Sequence, residues 1–160
     1  AVELKNVPDF QRYTASTAFV EGWGLYSEQL ANEMGLYSND VQQLGRLGND
    51  AWRACRLVLD TGMHGMGWSR DSAIDFFRSN SPIEEINANI ETDRYIAWPG
   101  QACSYKMGQL TIEQLRKKAE EELGEKFDIR YFHDEVLCDG GITLPILENK
   151  IDSFIEKFRN

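Results

Sequence analysis

Two glycines flank a tryptophan in the segment Phe19-Val20-Glu21-Gly22-Trp23-Gly24-Leu25-Tyr26-Ser27-Glu28, and nothing around them signals a turn. The segment reads as the interior of a helix. Each interior glycine costs such a helix about 1 kcal/mol relative to alanine. Glycines placed there let something approach the backbone closely: another helix, a ligand or a metal. The same segment sets Glu21 and Glu28 two helical turns apart, so their carboxylates share one face.

Helical signals continue along the chain. Thr14 or Ser16 is placed to cap the first long helix, which runs through Glu21 to Met34 and stops at Gly35. Ser38 or Asn39 opens a second. Its stripe of Val41, Leu44, Gly48, Ala51, Trp52, Cys55, Val58 and Leu59 has the spacing of a buried face and is expected to end at Gly62. Gly62 to Gly67 reads as a glycine-rich loop carrying His64. Ser69 caps a short helix through Phe77. Ser81-Pro82 with Glu84 and Glu85 marks the start of a helix that breaks at Trp98-Pro99-Gly100. Another runs from about Gln101 to Gly124, with Leu115, Ala119 and Leu123 inward. Asp128 caps the next, ending at Gly140-Gly141, and Thr143 with Pro145 opens the last, to about Lys157. No two-residue alternation, repeat or internal linker interrupts this pattern. The expected fold is all-α, a multi-helix bundle forming one domain over residues 1–160.

A chain of 160 residues can bury a real core. Its 17 basic and 26 acidic residues give a net charge of −9, which disfavours nucleic acid and anionic membrane surfaces as partners. No stretch approaches the roughly 18 apolar residues of a membrane span. Cys55, Cys103 and Cys138 are widely spaced, without metal-type pairing. Buried free thiols are expected, with one disulfide as the alternative in an oxidising compartment.

The segment around Glu21 resembles the Glu-Gly-Trp-(Ala/Gly)-Leu-Tyr-x-Glu signature of the bacterial domain of unknown function 885 family, whose members resemble gluzincin zinc metallopeptidases. Further stretches fall in that family's order: Asp60-Thr61-Gly62-Met63-His64, Arg94-Tyr95, Trp98-Pro99-Gly100-Gln101-Ala102, Tyr105-Lys106-Met107-Gly108, Phe127 to Asp134, and Leu144-Pro145. The likeness spans about Phe19 to Ile155. A gluzincin holds zinc through His-Glu-x-x-His and a later glutamate. This chain has only His64 and His133, neither followed by Glu-x-x-His. The resemblance therefore implies the C-terminal portion of a larger helical metallopeptidase-like fold. Zinc would be held in the complete protein, none tightly in this chain alone, and the missing N-terminal part of the polypeptide and a peptide substrate would be its partners. A periplasmic or lipid-anchored location is implied in the same way, and a second copy of the chain is a possible further partner.

By that resemblance Glu21 is the third zinc ligand, with Glu28 supporting it; otherwise Glu21 is an ordinary surface glutamate. His64 and Tyr105 become candidates to donate to the oxyanion formed when water attacks a peptide carbonyl. Asp60 could orient His64 if helical geometry persists that far. Arg94, with Tyr95 and Gln101, suits the carboxylate end of a peptide through its planar fork. Each also has a plain structural role open to it: a loop histidine, a buried tyrosine, an arginine paired to an acid. Trp23 and Tyr26 read as packing residues, and Arg130 is expected to pair with Asp134. The resulting expectation is a part of a zinc-dependent peptidase, inactive alone. The alternatives are a non-enzymatic helical binding or scaffold module and, last, a carboxylate-bridged metal bundle, which needs Glu-x-x-His pairs that are absent here.

Overall fold

The computed structural model describes residue 4 and residues 7–159. Every regular element among them is helical: α1 Asp9–Tyr13, α2 Thr17–Glu33, α3 Asp40–Gly65, α4 Arg70–Asn80, α5 Glu85–Ala97, α6 Ser104–Leu123, α7 Ile129–Leu137 and α8 Leu144–Arg159, with one 3₁₀ turn at Gly124–Lys126. No helix among the described residues is long and apolar enough to cross a membrane.

Local chemistry sets most of the ends. The side chains of Asn39, Ser69 and Asp128 accept backbone N–H groups from Gln42, Ser72 and Arg130. They thereby satisfy donors that a helix start leaves free. Gly35 and Gly124 take positive φ where α2 and α6 stop.

Two apolar clusters form the interior. Phe19 and Tyr26 of α2 pack with Ile112 and Leu115 of α6, Phe132 and Val136 of α7, and Leu147 and Ile151 of α8. Cys55 and Leu59 of α3 pack separately with Phe77 of α4 and Ala88 and Tyr95 of α5. Between the clusters, α3 touches both α2 and α6. The junction is polar: Lys106 reaches Asp50 at 2.6 Å, and Arg46 donates to Gln29 at 3.1 Å.

The closest helix pair is α2 with α6, and it crosses on glycine. A Cβ placed on Gly22 would overlap the backbone of Gly108, and one on Gly108 would overlap the carbonyl oxygen of Ala18 and lie 2.8 Å from the Gly22 Cα. Another helix therefore accounts for Gly22. Gly24 is different, with nothing within 4 Å of its Cβ direction.

Several sequence expectations are corrected. Gly62 does not end α3, which continues to Gly65 and takes His64 into its last turn. Gly62 makes room for Trp68, whose ring carbons would lie 2.7 Å from an added Cβ. The stripe on α3 is exposed at its start, at Val41 and Leu44, and Val58 is exposed beside the buried Cys55 and Leu59. The fifth helix begins at Glu85 rather than at Pro82, because Ser81 to Glu84 is extended chain. Arg130 pairs with Asp128 at 2.6 Å, not with Asp134. All three cysteines are free thiols, but Cys138 is exposed and Cys103 half-buried.

Candidate functional site

Helices α3 and α5, the turn after α5 and the start of α6 bring most of the candidate residues together. The organising group is Glu91. Its carboxylate accepts from Arg94 at 2.8 Å and 3.2 Å, from Arg56 at 3.0 Å and from the Tyr95 hydroxyl at 2.8 Å. Tyr95 in turn accepts from Arg56 Nε at 2.8 Å and Trp52 Nε1 at 3.2 Å. Burial alone would raise the Glu91 pKa, but the hydrogen bonds from Arg94 and Tyr95 and the two guanidinium charges outweigh it and hold the carboxyl below its ordinary range. Burial pushes the Tyr95 hydroxyl up, so it stays protonated and keeps donating.

Arg94 is thus already anchored, with Nη1 also donating to Gln101 at 3.0 Å. Gln101 lies in the turn that breaks the chain at Trp98-Pro99-Gly100. That turn is fixed by Asp60, whose two carboxylate oxygens both receive the Gly100 N–H at 3.0 Å. Asp60 therefore braces the backbone and does not orient His64.

His64 meets the same cluster from the end of α3, its Nε2 lying 3.1 Å from the Tyr95 carbonyl. A carbonyl oxygen only accepts, so Nε2 carries the proton. The neutral ring then has no N–H left for a substrate. Only the imidazolium could donate from Nδ1, which narrows the role expected of it.

Tyr105 stands under Arg56, whose guanidinium carbon is 4.3 Å from the ring centroid. The Tyr105 hydroxyl makes no hydrogen bond among the described residues, which leaves its proton available. Arg56 is the functional residue that sequence reasoning missed. It is 5 % exposed, bonds Tyr95 and Glu91, stacks on Tyr105, and keeps its Nη1 buried without a hydrogen-bond partner. The signal was present, because Arg56 is a charge set between Cys55 and Leu59 on a helix face that had to be inside.

Glu21 and Glu28 are not part of this cluster. Both are half-buried on α2, and neither side chain has a hydrogen-bond or ion-pair partner among the described residues. No group of three His, Cys, Asp or Glu side chains that could hold a metal ion forms among the described residues.

His133 belongs elsewhere too. Its Nε2 is hydrogen-bonded to the hydroxyl of Tyr26 at 2.7 Å, and that hydroxyl also accepts from Arg116 at 3.4 Å. Trp23 meets the ring edge-on at 5.4 Å. Burial first, then the Arg116 charge, lowers the His133 pKa below its ordinary 6.5. These are packing roles, as expected for Trp23 and Tyr26.

An all-helical bundle with this motif order defines a family, and the comparison bears it out. The chain belongs to the family of bacterial proteins of unknown function called DUF885, whose profile matches residues 1–151. It is also similar to a crystal structure described as the putative lipoprotein from Colwellia psychrerythraea, with 42 % sequence identity and a TM-score of 0.90. That match covers 94 % of this chain but 26 % of the other. No curated protein matches.

Proposed function

We propose that this chain is the part of a larger zinc-dependent peptidase that supplies one metal-binding carboxylate, Glu21, and a polar site for short peptides. The observation that carries the reading is the convergence of His64, Arg94, Tyr95, Gln101 and Tyr105, residues from separate elements, on one bonded and stacked cluster. The solved relative, in which a fold like this one is only 26 % of the chain, supports the view that such a site is completed by residues from elsewhere.

The described residues alone do not fit a zinc ion. Zinc takes three or four N, O or S ligands from the protein, and no three side chains that could hold it come together among the described residues. The remaining ligands, two imidazoles in a gluzincin, have to come from outside residues 1–160. Bound zinc supplies a water of lowered pKa. What this chain's residues do is bind and orient. Arg94, held by Glu91 and Gln101, offers its remaining N–H groups to a peptide carboxylate. Tyr105, held by Arg56, offers its hydroxyl to the oxyanion. Likeness to a lipoprotein supports a periplasmic or lipid-anchored location.

One observation favours the rival reading, a helical binding module without metal: Arg94 and Tyr95 already satisfy each other through Glu91. Zinc analysis of the complete protein separates the two. The peptidase reading expects stoichiometric zinc, lost in Glu21→Ala together with peptide hydrolysis. Metal-free wild type would favour the module, and undiminished zinc in Glu21→Ala would refute the ligand assignment.

A further inference from the structure

We infer that the apolar groove between the first half of α3 and the Pro82–Ile83 segment seats an amphipathic helix from the remainder of a longer polypeptide. The inference rests on the reading of this chain as one part of a larger protein.

The groove is the open continuation of a buried surface. Val41, Leu44, Gly48, Trp52, Cys55 and Leu59 lie along one face of α3, three or four residues apart. At the far end α4 and α5 cover that face, leaving Cys55 5 % and Leu59 0 % exposed. Toward the start of α3 the cover stops, and Val41 and Leu44 on the same face are 79 % and 71 % exposed. The uncovered part is a cleft of about 480 Å³ walled by Val41, Leu44, Gly48 and Trp52 on one side and Pro82 and Ile83 on the other. Its floor is set at Gly48, where an added Cβ would come within 2.9 Å of Pro82. From Val41 to Trp52 the wall is about 16 Å long, or three helical turns. That length suits a helix laying down apolar residues at i, i+3 or i+4, and i+7.

Charge and length select the occupant. Glu84 is the one charged residue of the wall among the described residues; Glu85 beside it is paired with Arg78 at 3.3 Å, and the Arg53 guanidinium lies 5.3 Å from the Trp52 ring centroid. A second copy, itself carrying a net charge of −9, would meet a body of like charge here. The occupant is a helix from further chain of the same polypeptide, and the solved relative has chain to offer, since about three-quarters of it lies outside the matched part.

The test uses the complete gene product with a photo-crosslinking benzoylphenylalanine at Leu44, and in a second variant at Val41, with crosslinks mapped by mass spectrometry. Both positions are exposed here, so the substitution leaves this part of the fold intact. The expected result is an intramolecular crosslink to a segment outside residues 1–160 that has helical apolar spacing. A crosslink between two copies, no crosslink to the chain itself, or a gene product confined to these residues would overturn the inference. Zinc content of the same preparations is read in parallel. Loss of the metal reading with the crosslink retained, or the reverse, shows which of the two has failed.

Discussion

Replacing Gly108 by alanine tests the packing of α2 on α6 most directly. On an isolated helix this change is favourable by about 1 kcal/mol. Here the new methyl meets the Ala18 carbonyl oxygen and the Gly22 Cα, both main chain, so no rotamer change relieves the overlap and the helices have to separate. Overpacking of a core contact costs about 1–3 kcal/mol. With rigid obstacles the upper end applies, about 3, and subtracting the propensity gain leaves a net loss of about 2 kcal/mol. In urea unfolding followed by circular dichroism, that loss moves the midpoint down by about 1 M at unchanged slope. It lowers Tm by about 4–8 °C for a domain of this size. Gly24→Ala is the internal control, since open space lies beyond its Cα and the change should stabilise by up to about 1 kcal/mol. Gly22→Ala and Gly108→Ala together should lose less than the sum of the single losses, because one separation relieves both overlaps. A Gly108→Ala protein as stable as wild type would refute the close crossing.

Arg56→Met removes the buried cation while leaving its volume, and strands the shared oxygen of Glu91 with fewer donors. A loss of about 3 kcal/mol is expected in the same urea titration; a loss under about 0.5 kcal/mol would show that the Glu91 network does not depend on Arg56. His133 should titrate below 6.5 when followed by NMR. Because its folded pKa is depressed, its contribution to stability is present above the unfolded value and declines as pH falls through the folded one. A midpoint above 6.5 would contradict the lowering by burial and the Arg116 charge.

What could be read from the residues was chiefly what local chemistry decides. Asn39, Ser69 and Asp128 cap helices because a short polar side chain can reach its own neighbours' N–H groups, and Gly35 and Gly124 end them because positive φ favours glycine. The failures share a different cause. Gly62 looked like a stop, yet it serves a tertiary contact with Trp68 and the helix passes through it. Val41 and Leu44 carry the periodicity of a buried face, but periodicity does not say whether a partner is present. In the candidate site, His64, Arg94, Tyr95, Gln101 and Tyr105 could be named from motif order. What holds them could not, because Glu91 is separated from Arg56 by the last third of α3, all of α4 and the first half of α5. Asp60 was misassigned for the same reason, its partner being the Gly100 N–H and not a neighbour on its own helix.

The two interior clusters have no buried residue in common, and polar groups occupy the ground between them. Sliding or parting along that boundary exposes little apolar surface, and water can replace each broken hydrogen bond. The boundary is therefore a plane along which the two halves can yield. Glu21 stands on the α2 side of it and the Glu91 cluster on the α3 side, so a ligand touching both would act as a clamp across the plane. Its binding would register as stiffening of the whole bundle rather than as movement of any one loop.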